Sequence, residues 1–173
     1  MNSNQSIITT NKQAKLQSNL VAGTDPASRF VALIAAAVSA KQAHIAATHC
    51  DEPKYATALG WDYRGSGEHR YLAPNGPAIG WIEDDDLYLE AEAAMACAKR
   101  LAREQGNELP FTDRRIQKSL QEAGLLKSSE PERNTVRKTL DGRRRYVLHM
   151  SSERVLGIDS STQAQRIEED VPF

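Results

Sequence analysis

Cysteines, long apolar runs and targeting signals are scarce or missing in this sequence. Its 173 residues include only two cysteines, Cys50 and Cys97, which are too few for a disulfide framework and favour a reducing, cytoplasmic setting. No apolar run approaches the ~20 residues that a membrane-spanning helix needs, and the first residues lack the basic-then-apolar pattern of a secretory signal. We therefore expect a cytoplasmic protein that does not contact a membrane.

Motifs for catalysis and metal binding are also scarce. The sequence has no Gly-x-x-x-x-Gly-Lys-Ser/Thr phosphate-binding loop and no convincing acidic catalytic cluster. The three aspartates at 84–86 favour a solvated turn over a metal site, because neighbouring turn residues point in different directions. His69 and His149 are interpreted as ordinary strand residues. Neither paired zinc-ligand spacing nor a third group to orient a Cys–His nucleophile is present around His44, His49, Cys50 and Cys97. We expect no enzyme, cofactor or metal.

The charges are unevenly distributed, although the formal net charge is −1. Residues 51–92 contain 10 acids and 3 Lys or Arg, whereas residues 111–150 contain 10 Lys or Arg and 5 acids. An acidic middle is thus followed by a basic region, which is where an anionic partner would bind.

The N-terminal half begins with a polar segment, residues 1–23, which predicts disorder. A helix is predicted next, capped by Thr24 or Asp25, with Pro26 in its first turn and an end at about Thr48. Its apolar face repeats at helical spacing through Phe30, Leu33, Ile34, Ala37, Val38 and Ile45.

Residues 51–89 place aromatics between Gly, Pro and Asn, which predicts short strands, with "AIGWIE" and "LYL" forming one hairpin. A second helix, ended by Gly106, is predicted from the apolar stripe Leu87, Ala91, Ala94, Met95, Ala98, Leu101 and Ala102. Thr112 caps a third helix, "DRRIQKSLQEA", which Gly124 ends. Its predicted inward residues are Ile116, Leu120 and Ala123.

A basic hairpin follows in "TVRKTLDGRRRYVLHM", because Asp141-Gly142 between two strand-like runs is a strong two-residue turn signal. Helix, extended link, capped helix and basic hairpin together predict a winged helix. Such a unit binds duplex DNA with its helix in the major groove and its hairpin along the phosphates. The predicted DNA contacts are Arg114, Arg115, Lys118 and Gln121 on the helix, and Arg137, Lys138, Arg143, Arg144 and Arg145 on the hairpin.

Two other interpretations of the basic hairpin stay open. Charge can simply blunt an exposed sheet edge, and many winged helices bind proteins. The aromatics of the acidic middle could stack on unpaired bases, but a place in the core of a small sheet is favoured. They are Trp61, Tyr63, Tyr71 and Trp81.

The predicted fold is α+β and falls into parts along the chain. Residues 24–89 form an N-terminal helix and a small antiparallel sheet. Residues 90–156 form the winged-helix part packed on it. Residues 157–173 form a flexible acidic tail after the disordered start at 1–23.

Residues 27–150 also resemble, in the same order, the C-terminal module of large primase–helicase-type proteins from phages and integrated mobile elements. The resemblance lies in "WDYR", "IGWIEDDDLYLEAEAAMACAKRLAREQGNELPFTDRRIQKSLQEAGLL" and "NTVRKTLDGRRRYVLHM". It implies a non-catalytic DNA-binding accessory module of a phage or mobile-element replication system. The primase and ATPase domains of the larger proteins have no counterpart in this sequence, so their enzymatic roles do not carry over.

The final residues, "EEDVPF", resemble the C-terminal tip of bacterial single-stranded DNA-binding proteins, in which acids precede Ile-Pro-Phe. A partner pocket could bury the terminal ring while a basic rim holds the carboxylate. The resemblance implies recruitment of host replication or repair proteins, and the alternatives are self-masking of the basic hairpin or no role. An adaptor that recruits such proteins without binding DNA is therefore the second functional hypothesis. The candidate contacts are Glu168, Glu169, Asp170, Pro172 and Phe173.

Overall fold

The computed structural model describes residues 25–49 and 52–158, which form an α+β fold, as predicted. The described part has four α-helices: α1 (Pro26–Ser39), α2 (Ala91–Glu104), α3 (Asp113–Glu122) and α4 (Ser152–Leu156). Its strands are β1 (His44–Ala47), β2 (Trp61–Arg64), β3 (Tyr71–Pro74), β4 (Ala78–Glu83), β5 (Asp86–Glu90), β6 (Leu126–Ser128), β7 (Val136–Leu140) and β8 (Arg143–Ser151). Two short 3-10 helices span Ala56–Leu59 and Gly67–His69. The predicted disordered segment, residues 1–23, lies outside the described residues.

Helix α1 starts as predicted but ends earlier. Asp25 caps it by accepting a hydrogen bond from the Ser28 amide at 2.8 Å, and Pro26 occupies the first position. The predicted end near Thr48 is wrong, because the chain leaves the helix after Ser39 and forms strand β1. Ile45, which fits the helical repeat, is instead buried as a strand residue of the sheet.

The main sheet has the strand order β1-β4-β5-β8-β6, with β7 also paired to β8. Strand β1 runs parallel to β4, and the other pairs are antiparallel. Strands β2 and β3 form a separate antiparallel pair. The small antiparallel sheet predicted for the middle of the chain is therefore correct for β2 and β3 only. Strands β4 and β5 belong to a larger mixed sheet.

The two faces of the main sheet bury different residues. Leu87 and Leu89 of β5 and Leu148 and Met150 of β8 face the helices and join the main core with Phe30 and other α1 and α2 residues. Side chains alternate along a strand, so the residues between them point to the opposite face. There a second, smaller cluster forms from Trp81, Tyr88, Leu140 and Val147.

Helix α2 begins at Ala91, so the predicted helical stripe from Leu87 is wrong at its first member. Leu87 lies in β5. Its apolar side chain fits the alternation of a strand as well as the spacing of the following helix, so the sequence alone does not separate the two. Gly106 follows the helix with a φ of 70°, which suits glycine. Within the described residues, no helix has the length and apolar character needed to cross a membrane.

Helix α3 is fixed at its start and by its buried face. Thr112 caps it by accepting from the Arg115 amide at 3.3 Å, and Ile116 and Leu120 are fully buried. Ala123, predicted to face inward, is instead the exposed residue that follows the helix. The Ser119 hydroxyl donates to Asp25 Oδ1 at 3.1 Å, which ties α3 to the start of α1.

Helix α4 has no counterpart in the sequence predictions. It follows β8 directly and contributes Val155 to the main core, and Ile158 just after it is also buried. The rest of the predicted flexible tail, residues 159–173, lies outside the described residues.

Candidate nucleic-acid interface

The exposed face of α3 carries the helix residues predicted to contact DNA. Because Ile116, Ser119 and Leu120 are buried, the polar positions between them face solvent. All four predicted contacts are exposed: Arg114, Arg115, Lys118 and Gln121. Lys118 Nζ lies 3.6 Å from Glu122 Oε1 on the surface of the helix. Solvent largely screens such an exposed ion pair.

The β7–β8 hairpin, called the basic hairpin here, forms as predicted. Asp141 and Gly142 have φ values of 50° and 71°, as a two-residue turn of this type requires. The strand register pairs Lys138 with Arg145 and Arg137 with Tyr146. Since neighbouring pairs point to opposite sides, the predicted cations divide between two faces of the hairpin.

The inner face of the hairpin is defined by Lys138, Leu140, Arg145 and Val147. It contacts side chains of β4 and β5 on the face of the main sheet opposite the helices. Lys138 Nζ donates to Glu83 Oε2 at 2.9 Å and lies 3.6 Å from the centre of the Tyr88 ring. Burial lowers the pKa of Lys138, but its interactions with Tyr88 and Glu83 outweigh that effect and leave the pKa raised.

Arg145 is held in the same way. Its Nη1 donates to Glu90 Oε1 at 2.6 Å, and its guanidinium lies 4.9 Å from the centre of the Trp81 ring. The Trp81 indole donates to Asp141 Oδ2 at 2.9 Å, which attaches the hairpin turn to β4. The structure thus places Lys138 and Arg145 in internal ion pairs.

The outer face of the hairpin is defined by Arg133, Arg137, Arg144 and Tyr146. Arg137 Nη2 donates to Tyr146 Oη at 2.8 Å, and the guanidinium groups of Arg137 and Arg133 lie 5.3 and 5.4 Å from the ring centre. These arginines, Arg137 first, lower the pKa of Tyr146. The ring is 43% exposed. Glu130 Oε1 accepts a hydrogen bond from the Arg137 backbone amide at 2.9 Å. The Tyr146 hydroxyl, and to a smaller extent the Glu130 carboxylate, raise the pKa of the Arg137 guanidinium.

The tip carries Arg143 and Arg144, which are both exposed. Arg144 belongs to the outer face, whereas Arg143 lies opposite Leu140 at the turn. Within the described residues neither takes part in an ion pair. Sequence reasoning did not include Arg133 and Tyr146 in the site, although alternation along β8 places Tyr146 on the same side as Arg144. The role of Arg133 and Tyr146 follows only from the structure, in which the loop before β7 places Arg133 beside the Tyr146 ring.

The helix and hairpin surfaces lie at a distance from each other along the fold. Helix α3 leads into β6, which pairs with His149 and Met150 near the end of β8. Along an extended strand, the path from His149 to Arg143 at the tip is about 20 Å. An extended polyanion can bridge such a distance, whereas a small anion cannot.

The predicted aromatic core is correct for the tryptophans only. Trp61 and Trp81 are buried, and the Trp61 indole donates to the Ile45 carbonyl at 2.9 Å. Tyr63 and Tyr71 are 53% and 59% exposed, because β2 and β3 form a two-stranded pair outside the main sheet.

The weighed metal ligands are dispersed. Asp84 lies in the β4–β5 turn with a φ of 50°, while Asp86 points towards Lys127 and His149. The described residues contain no group of three His, Cys, Asp or Glu arranged to hold a metal ion. Cys97 is buried, which raises the pKa of its thiol. Cys50 lies outside the described residues, as do the tail residues Glu168, Glu169, Asp170, Pro172 and Phe173.

Comparisons with family models, with curated proteins and with solved structures find no match for this chain.

Proposed function

We propose that this chain binds nucleic acid, with duplex DNA as its main ligand. The outer face and tip of the basic hairpin contact the phosphates, and the exposed face of α3 enters the major groove. This arrangement interprets α2, α3, β6 and the hairpin as a winged helix. The resemblance of residues 27–150 to the module of primase–helicase-type proteins supports an accessory role in phage or mobile-element replication.

One observation carries the proposal: the hairpin cations are sorted by face. Lys138 and Arg145 on the inner face form ion pairs with Glu83 and Glu90, whereas Arg137 and Arg144 on the outer face form no ion pair within the described residues. A merely solvated edge needs no such sorting. An unmatched row of guanidinium groups fits phosphate, which they bind with two parallel hydrogen bonds.

Preorganisation supports the same conclusion. Arg137 is held by the Tyr146 hydroxyl, and Arg133 lies over the same ring. An arginine that is already ordered loses less side-chain entropy when a phosphate binds. The outer face should therefore contribute most of the affinity, while Arg114 and Lys118 on α3 provide any preference between base sequences.

The test is a fluorescence-anisotropy titration of labelled duplex DNA at several salt concentrations. If about four to six cations meet phosphates, the logarithm of affinity should fall with the logarithm of salt with a slope of about −4 to −5. Absence of binding at low salt, or an affinity that salt does not change, would refute the proposal and favour the protein-binding adaptor.

A matched pair of double variants sharpens the test. Arg143→Ala/Arg144→Ala removes two exposed cations at the hairpin tip and should make the salt slope shallower by about 1–2 for every duplex. Arg64→Ala/Arg70→Ala removes the same charge from β2 and from the exposed connection between β2 and β3, and should leave the slope unchanged. Equal effects of the two variants would mean that net charge alone controls binding.

A further inference from the structure

A serine, a histidine and an aspartate meet on the face of the main sheet opposite the helices. The Ser128 Oγ lies 2.6 Å from Nδ1 of His149, and Nε2 of the same ring lies 3.0 Å from Asp86 Oδ1. The three residues come from the neighbouring strands β6, β8 and β5. None of them belongs to the nucleic-acid surface described above.

The sheet register produces this arrangement. His149 lies opposite Tyr88 on one side and opposite Ser128 on the other. The β6–β8 pairing is irregular between Leu126 and Ser128. Such irregularities re-aim side chains, and here both Lys127 and Ser128 reach groups on the same face.

The protonation pattern follows from Asp86. Its partial burial raises the pKa, but hydrogen bonds from Lys127 and His149 outweigh this and leave the pKa lowered. The carboxylate is therefore ionised at neutral pH and can only accept, so the proton of a neutral His149 ring lies on Nε2. Nδ1 then accepts the hydroxyl proton of Ser128.

This is the chain of contacts that activates a serine: nucleophile, base and orienting carboxylate, each within hydrogen-bond distance of the next. In serine proteases the nucleophile contacts Nε2 and the carboxylate contacts Nδ1. Here the two ring nitrogens are exchanged, which leaves their acid–base roles intact. The ring is also held in place, because Tyr88 stacks on it at 4.8 Å with an interplanar angle of 22°.

We propose that Ser128 is a nucleophile towards small activated acyl esters and related phosphonyl compounds, with His149 as its general base and Asp86 as the orienting group. Ser128 lies exposed on the edge strand β6, so an acyl carbonyl can approach its Oγ from solvent. Oγ forms a bond to the acyl carbon while its proton passes to Nδ1. The bond between the acyl carbon and the alkoxy oxygen breaks, and the departing alcohol takes that proton. Water then attacks the acyl-serine, gives a proton to Nδ1 and releases the acid, while the proton returns to Oγ.

A fluorophosphonate probe tests the nucleophile on the full-length protein. Oγ forms a bond to phosphorus, fluoride leaves, and His149 takes the proton, so the labelled residue can be mapped by mass spectrometry. Ser129 is an internal control, since it is an exposed neighbour on the same segment. We expect Ser128 to be labelled at least about 100-fold faster than Ser129, since a positioned base typically contributes 10²–10⁴-fold.

Variants identify the base and the orienting group. His149→Gln should slow labelling of Ser128 by about 100-fold or more, and Asp86→Asn should slow it substantially as well. Ser128→Ala should abolish labelling without unfolding the protein, because an exposed edge position tolerates this change, and circular dichroism would verify the fold. Ser129→Ala should leave the rate unchanged.

Equal labelling of the two serines in the unmodified protein would overturn the proposal, and so would full labelling of Ser128 in His149→Gln. The proposal is independent of nucleic-acid binding, because none of the three residues is a cation of that surface. Ser128→Ala should therefore retain the DNA affinity of the unmodified chain, which separates the failure of one proposal from that of the other.

Discussion

The two faces of the basic hairpin place the same kind of residue in opposite surroundings. On the inner face, Arg145 pairs with Glu90 and stacks on Trp81. On the outer face, Arg144 is exposed, and within the described residues it has no ion-pair partner. The two arginines are neighbours in sequence, and only the alternation of the strand separates them. A high density of cations in a sequence therefore does not by itself identify a nucleic-acid interface. The strand register is needed to show which of the cations already form ion pairs within the protein.

Removing Trp81 should have the largest effect, because it anchors the inner face. Trp81→Ala would delete a buried ring, the hydrogen bond to Asp141 and the surface on which Arg145 stacks. We expect a loss of about 3–5 kcal/mol in the free energy of unfolding, measured by urea denaturation. Tyr146→Ala on the outer face is the control and should cost under about 1 kcal/mol, since its ring is partly exposed. Similar losses for both variants would contradict the division into faces.

Breaking the Arg145 ion pair should have an intermediate effect. Arg145→Ala leaves the Glu90 carboxylate without its partner in a site where the two side chains are 24% and 28% exposed. Loss of a fully buried pair costs about 3–5 kcal/mol, and partial exposure reduces this to about 1–2 kcal/mol. Denaturation midpoints would measure the change.

A double variant distinguishes the ion pair from simple packing. Arg145→Met/Glu90→Gln removes both charges while keeping most of the volume, and we expect it to recover at least half of the stability lost in Arg145→Ala. No recovery would mean that the stack on Trp81, and not the carboxylate, holds Arg145 in place.

Local signals in the sequence were sufficient for several elements. The Asp141-Gly142 turn, the Thr112 cap and the buried pair Ile116 and Leu120 depend on neighbours in sequence and were predicted correctly. Strand β1 was missed because Ile45 satisfies a helical repeat until its parallel partner β4 is known. Pairing between distant strands is not encoded in a local pattern.

The candidate sites show the same limit. The sequence presents the hairpin cations as one group, because neither Glu83 nor Glu90 is near them along the chain. His149 was interpreted as an ordinary strand residue, since Ser128 and Asp86 reach it only through the order β5-β8-β6. Residues that contact one another across a sheet can be far apart in sequence, so only the strand register identifies them.

The outer face should respond to alkaline pH through Tyr146. Arg137 and Arg133 lower the pKa of this phenol, so it ionises below its usual value near 10. The tyrosinate would add one negative charge beside Arg133 and Arg137, in addition to the charge that Glu130 already carries, and would lower the net positive charge of the outer face. We expect DNA affinity to fall as the pH is raised from neutral towards about 10.

The comparison variant is Tyr146→Phe, which retains the ring and loses the ionisable hydroxyl. Its DNA affinity should stay nearly constant over the same pH range, when measured by anisotropy at fixed salt. A parallel decline in both proteins would assign the pH dependence to other groups and would show that Tyr146 does not control the affinity of the outer face for DNA.

The smallest expected effect concerns stability at the tip. Arg143 and Arg144 contact no carboxylate within the described residues, so Arg143→Ala/Arg144→Ala should change the free energy of unfolding by less than about 0.5 kcal/mol. We expect the protein to become slightly more stable, because removing two like charges next to Arg145 relieves repulsion. The same variant is expected to weaken DNA binding, so DNA affinity should fall without a loss of stability. Arg145→Ala, by contrast, should lower the free energy of unfolding. Urea denaturation of the two variants side by side would decide the matter, and a tip variant as destabilised as Arg145→Ala would show that the tip arginines are structural.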